Sequence, residues 1–144
     1  MFQKILVPTD GSELSARAIA GAVELAAKLG ASIVGVTAVE PYAYATLSEY
    51  RPETIVEYEQ RADLAARERL DVLEAAARKG GVPVETVVAR SFSPFEAIIE
   101  TAKERGCDAI FMASHGRRGL SAVLLGSETQ KVLTHSQIPV IVYR

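Results

Sequence analysis

Asp108-Ala-Ile-Phe-Met-Ala-Ser-His-Gly-Arg-Arg-Gly-Leu-Ser-Ala-Val-Leu-Leu-Gly-Ser127 is the stretch that decides the fold. Its first part, Ala109 to Ala113, is apolar at every position. A strand covered on one face alternates apolar with polar residues, whereas one covered on both faces does not. Four other short runs read the same way: Lys4 to Pro8, Ser32 to Val39, Val84 to Ala89 and Val140 to Tyr143. Helical patterns separate them, and strands joined through helices make right-handed crossovers within a parallel sheet. The expectation is one α/β domain spanning residues 1–144. It is a doubly wound five-stranded parallel sheet with helices on both faces.

The helices are bracketed by start and stop signals. The first is expected from about Ser12 to a stop at Gly30, with Leu14, Ala18, Val23, Leu25, Ala26 and Leu29 on its apolar side. A longer one runs from about Glu53 to Lys79, with Ala62, Ala65, Ala66, Leu70, Leu73 and Ala77 inward and Gly80-Gly81 as breakers. Its charges, among them Glu57, Glu59, Arg67, Glu68 and Arg69, read as a solvated face. Ser93, Pro94 and Glu96 form the pattern of a capping box opening the third helix, which Gly106 ends. The fourth begins at Ser127 with Gln130 placed to complete a second box, and stops before Pro139. The least regular stretch, Pro41 to Pro52, carries Tyr42, Tyr44 and Tyr50 and reads as a flap.

Composition narrows the class. The 144 residues are 49% hydrophobic and 24% charged, with a formal net charge of -2. That balance supplies no basic field for nucleic acid, and the local pair Arg117-Arg118 is sized for one phosphorylated small molecule. No apolar run approaches the roughly 20 residues of a membrane helix, so no membrane association is expected. A single cysteine, Cys107, and a start that passes directly into a strand pattern predict a reducing cytoplasm. Cys107 reads as a packing residue, and the two histidines show no metal-ligand spacing.

Two elements point to chemistry. Gly116 and Gly119 follow the fourth strand, and Gly126-Ser127 opens the last helix. Glycines let a ligand approach the backbone, and a helix N-terminus offers unpaired N–H groups and a favourable dipole to an anion. The same glycines also serve a chain that merely turns. The segment lacks the Gly-Lys-Ser/Thr ending of a Walker loop, and no dinucleotide fingerprint follows the first strand. The second element is Pro8-Thr9-Asp10-Gly11-Ser12, where Asp10 suits ribose hydroxyls or adenine and Thr9 can donate, although Asp10 and Ser12 are also good helix caps. In open parallel sheets, ligands bind beyond the carboxyl ends of strands where the strand order reverses. In the order 3-2-1-4-5, strands one and four flank that point, and both elements border one crevice.

The opening Lys-Ile-Leu-Val-Pro-Thr-Asp-Gly-Ser, the central Ala-Ser-His-Gly-Arg-Arg-Gly, the Leu-Leu-Gly-Ser before the last helix and the closing Ile-Pro-Val-Ile-Val-Tyr resemble the universal stress protein family over essentially the whole chain. The resemblance implies the adenine nucleotide alpha hydrolase-like fold. In the ATP-binding branch the motif is Gly, two residues, Gly, nine residues, Gly, then Ser or Thr. Gly116 and Gly126-Ser127 match it, and Ala113 replaces the first glycine. By resemblance Pro8, Thr9 and Asp10 contact adenosine, Ala38 meets adenine through its backbone, and Gly116, Gly126 and Ser127 hold phosphates. Met112, Ala113, Ser114, His115, Arg117, Glu128 and Thr129 lie alongside.

The resemblance therefore implies a regulatory binder of ATP, or of ADP or AMP, with magnesium bridging the phosphates and at most slow hydrolysis. No catalytic residue and no protein metal site are assigned. The competing expectation is a family member that binds no nucleotide and works as a dimeric interaction module, to which Ala113 points. A phosphoryl-accepting receiver is disfavoured, because the acidic cluster it needs beside the first strand is missing. The resemblance also implies a homodimer paired through Val140 to Tyr143, which covers a hydrophobic edge strand. Further protein partners are expected, without identity.

Overall fold

A computed structural model describes residues 1–42, 54–116 and 124–144. Five strands, β1 (Lys4–Pro8), β2 (Ser32–Val39), β3 (Val84–Arg90), β4 (Ala109–Ala113) and β5 (Val140–Tyr143), form one parallel sheet in the order β3-β2-β1-β4-β5. Four helices connect them: α1 (Glu13–Leu29), α2 (Ile55–Lys79), α3 (Pro94–Glu104) and α4 (Ser127–His135). The chain is thus a single α/β domain with the expected strand order. The expected flap falls mostly on residues 43–53, outside the described residues.

The central strands β1, β2 and β4 feed two cores, which is why their sequences do not alternate, whereas the edge strand β3, expected to be covered on both faces, keeps Glu85, Val88 and Arg90 exposed. Ile5, Val7, Ile33, Ala109 and Phe111 face α1 and α2, where they pack with Ile19, Ala22 and Leu73. Leu6, Val34, Val36, Ile110 and Met112 face the other way, against Ile98 and Ala102 of α3 and Val132 of α4. Successive side chains of a strand point to opposite faces, so both sets are apolar. Cys107 belongs to the second core, and burial pushes its thiol up to about 11. It packs as a small apolar residue. Among the described residues, no helix is long and apolar enough to cross a membrane.

Helix ends follow local chemistry where the backbone places the cap correctly. Ser12 caps α1 by accepting from the Ser15 N–H at 3.2 Å, and Gly30 closes the helix in the left-handed conformation at φ 66°. Within α1, Ser15, Ile19 and Ala22 join Ala18, Val23 and Ala26 on the buried side, while Leu29 is exposed, contrary to expectation. Leu29 is the last helical residue, immediately before the Gly30 cap. Helix α2 starts at Ile55 rather than near Glu53, under a complete capping box between Thr54 and Glu57.

The two other expected boxes do not form. Ser93 occupies the cap position of α3 without a side-chain cap bond, and its N–H donates instead to the Ser91 hydroxyl at 3.0 Å. The second amide of α3, Phe95 N–H, donates to Glu128 Oε2 at 2.9 Å, so a residue of α4 does the capping. Helix α4 is capped by Gly126, which makes Ser127 its first helical residue, and Gln130 Nε2 donates to the Leu125 carbonyl at 3.0 Å.

Helix α2 packs closely on β2 at Gly35, where an added Cβ would lie 2.7 Å from Leu73 Cδ2. Leu73 is fully buried, whereas neighbouring Val72 is exposed. Truncating Leu73 to Ala removes apolar burial and leaves a void in a close-packed layer, so Leu73→Ala is expected to lose about 2–5 kcal/mol. Val72→Ala is expected to stay within about 0.5 kcal/mol of the parent. Urea unfolding of the two variants checks both.

Candidate functional site

The carboxyl ends of β1 and β4 diverge at the point where the strand order reverses, because β1 continues toward α1 on one face and β4 toward α4 on the other. A cleft of about 670 Å³ opens there, within the range of small-molecule sites. Pro8, Thr9 and Asp10 line it from β1, Ala38 from β2, Met112 and Ala113 from β4, and His115 and Gly116 from the turn that follows. Gly126, Ser127, Glu128 and Thr129 close it from the start of α4. Ser114 is buried beneath the cleft rather than lining it, and Arg117, Arg118 and Gly119 lie outside the described residues.

Asp10 and Thr9 hold the first turn together. Asp10 Oδ1 accepts from the Ser12 N–H at 2.9 Å, and Thr9 Oγ1 accepts from the Gly11 N–H at 3.2 Å and from the Ser15 hydroxyl at 2.8 Å. Gly11 takes φ 78°, a left-handed backbone that a side chain disfavours. The other Asp10 oxygen fills the space that a side chain on Gly116 would occupy. A side chain at Gly116 would have to displace the Asp10 carboxylate, so the glycine lets the turn after β4 pack against Asp10 as it stands.

The return of the chain into α4 is equally close. The Gly126 N–H donates to the Ser114 carbonyl at 2.7 Å, and an added Cβ would lie 3.0 Å from His115 Cα. Thr129 Oγ1 donates to the Ala113 carbonyl at 3.0 Å, which locks the first turn of α4 to the end of β4. A glycine cap has no side chain to satisfy the first amides of α4, and these unpaired donors stand at the cleft wall. Glu128 lies in the same turn, but its carboxylate is engaged by the Phe95 N–H and by Lys131 Nζ at 3.2 Å.

Ala113 is in register with Tyr143 of β5 and packs against the α1 side of the sheet. No non-glycine among the described residues has a positive φ, so the methyl at this position introduces no backbone strain. His115 Nδ1 lies 3.2 Å from the Ser114 hydroxyl. His135 is far from this chemistry: it is exposed, with Nδ1 2.8 Å from the Lys131 carbonyl and its ring against Phe95.

Other cleft residues escaped the sequence reading. Val36 and Glu40 share the face of Ala38, two positions away on either side, a relation that strand periodicity predicts once Ala38 is placed. Ser91, Phe92 and Pro94 come from the β3–α3 connection, and Arg69 comes from α2. Arg69 is half-buried at the cleft rather than part of a solvated face. No sequence spacing links these residues to the glycine turn, because separate crossovers deliver them.

The fold and cleft together define a doubly wound α/β protein with a ligand-sized opening at its switch point. A family model described as the universal stress protein family matches residues 1–144. The universal stress protein YxiE of Bacillus subtilis is 38% identical over 151 residues, covering all of both chains. Among solved structures, that of MJ0577 from Methanocaldococcus jannaschii has a TM-score of 0.83 at 25% identity, covering 99% of this chain and 96% of that one. A universal stress protein solved in complex with cAMP has a TM-score of 0.69 at 25% identity, covering 99% and 97%. The chain belongs to the universal stress protein family.

Proposed function

We propose that the chain is an adenine-nucleotide-binding universal stress protein that holds ATP, or ADP or AMP, in the cleft between β1 and β4 and acts by binding rather than turnover. The carrying observation is the convergence in one cleft of Asp10, the close-packed Gly116 turn and the glycine-capped start of α4. The unpaired amides of that helix suit phosphate oxygens, which need several donors from one side. Pro8, Thr9, Asp10 and Ala38 then take the nucleoside, and Gly116, Gly126 and Ser127 the phosphates. The Ser127 hydroxyl is not spent on capping, so it is available to the ligand as well as its N–H. Magnesium, in this reading, bridges phosphate oxygens.

Adenine nucleotide is favoured over other phosphorylated ligands by the relative of similar length that holds cAMP. The unstrained backbone at Ala113 supports nucleotide binding over a purely interaction-based role. Pairing of two copies along β5 belongs to the same reading. All four residues of that edge strand are only half-buried, and a second copy would cover them.

Binding to the native state raises stability by mass action. Mg-ATP at a hundredfold excess over Kd is expected to raise Tm by roughly 5–10 °C. Gly126→Val, which fills the approach to His115, is expected to abolish that rise. A differential scanning fluorimetry titration of both proteins, with circular dichroism to confirm that the variant is folded, decides the matter: no rise in the parent contradicts the reading. Light scattering at micromolar concentration is expected to give twice the chain mass, and a monomer mass contradicts the pairing.

A further inference from the structure

Phe92 is 63% exposed, although burying such a ring is worth about 1.5–3 kcal/mol. Phe111, by contrast, is buried in the core between the sheet and α1. The exposed ring stands on the wall of the cleft, in the connection from β3 to α3. Its place is opposite the glycine turn. β3 lies three strands from β4, a separation of roughly 14 Å at about 4.8 Å per strand. The two ends of the cleft differ in chemistry accordingly. Backbone donors gather at the α4 end, while away from it Val36, Ala38 and Ile98 give the cleft an apolar floor, with Glu40 and Arg69 on the wall beside Phe92.

The turn that carries the ring is fixed. The Ser91 N–H donates to the Val39 carbonyl at 3.0 Å, tying the turn to the end of β2. The Ser91 hydroxyl accepts from the Ser93 N–H at 3.0 Å and donates to the Ser93 carbonyl at 3.2 Å, bracketing Phe92 on both sides. The Ser93 N–H is thereby committed to the turn and is not available to Glu96, so the reciprocal half of a capping box does not form. A ring held in water by a braced turn, beside an apolar floor, offers a flat face to a planar heterocycle at small ordering cost.

We propose that Phe92 is the aromatic platform on which the base of the bound nucleotide stacks, an assignment that rests on the nucleotide reading above. The phosphates then lie at the α4 end and the base at the β3 end. Stacking selects a purine ring by its area and polarisability without reading its edge, so Phe92 sets affinity for the base rather than the identity of its substituents.

Calorimetric titration with Mg-ATP compares the parent, Phe92→Ala and Phe92→Trp. Removing the ring is expected to raise Kd about tenfold, toward the low end of measured base-stacking losses, while Phe92→Trp stays within about twofold of the parent. The chain contains no tryptophan, so Phe92→Trp also supplies a single fluorophore whose emission a stacked adenine quenches. Saturable quenching with the calorimetric Kd supports the assignment. An unchanged Kd in Phe92→Ala, or no quenching at saturating Mg-ATP, overturns it while leaving nucleotide binding intact. A parent that binds no Mg-ATP overturns both readings together. Because the ring is exposed, all three proteins are expected to melt at the same temperature without ligand.

Discussion

The 2.7 Å hydrogen bond from the Gly126 N–H to the Ser114 carbonyl brings the chain back to the end of β4 and starts α4 there. The rest of the site depends on it. With Gly126 against His115, the first turn of α4 stands over the crevice, and Thr129 fastens it to the Ala113 carbonyl. Gly116 resting on Asp10 closes the other side. A side chain at Gly116 would displace the Asp10 carboxylate, and one at Gly126 would press on the His115 backbone, at the one point where the sheet opens. The cleft is thus a product of close backbone approach, and the glycines are needed there for what they lack.

Much of the fold was legible because burial on both faces leaves a plain mark. Ala109–Ala113 is apolar throughout and Ile33–Val36 carries no polar side chain, since successive residues there turn to one core or the other. The crevice was legible through topology: once β1 and β4 flank the reversal, Asp10 and Gly126 are neighbours. Capping was less readable. Ser93 and Ser127 both have the right residue type, but a cap works only if the backbone aims the hydroxyl at the third amide. At Ser93 the hydroxyl makes no cap bond and the Ser91 hydroxyl holds the N–H that a box would give to Glu96, and at Ser127 the cap position falls one residue earlier, on Gly126. The box at Thr54 and Glu57 does carry its signature, three residues apart, and was hidden only by the irregular stretch before it.

The far wall of the cleft was the least legible part. Arg69, Phe92 and Glu40 come from three different elements, and nothing in their spacing relates them. Arg69 in particular follows the helical pattern of a solvated residue, yet the fold places it half-buried at the cleft. Such residues become visible only when packing is known.

The central claim, that an adenine nucleotide sits with its phosphates at the start of α4, is tested most directly by amide NMR during titration with Mg-ATP. The Gly116, Gly126, Ser127 and Thr129 amides are expected to shift together and saturably, as their N–H groups meet or flank phosphate. Gly30, Gly81 and Gly106, which precede β2, β3 and β4 at the opposite edge of the sheet, should remain in place. Stationary Gly116 and Gly126 signals at saturating nucleotide, or shifts confined to the opposite edge, would contradict it.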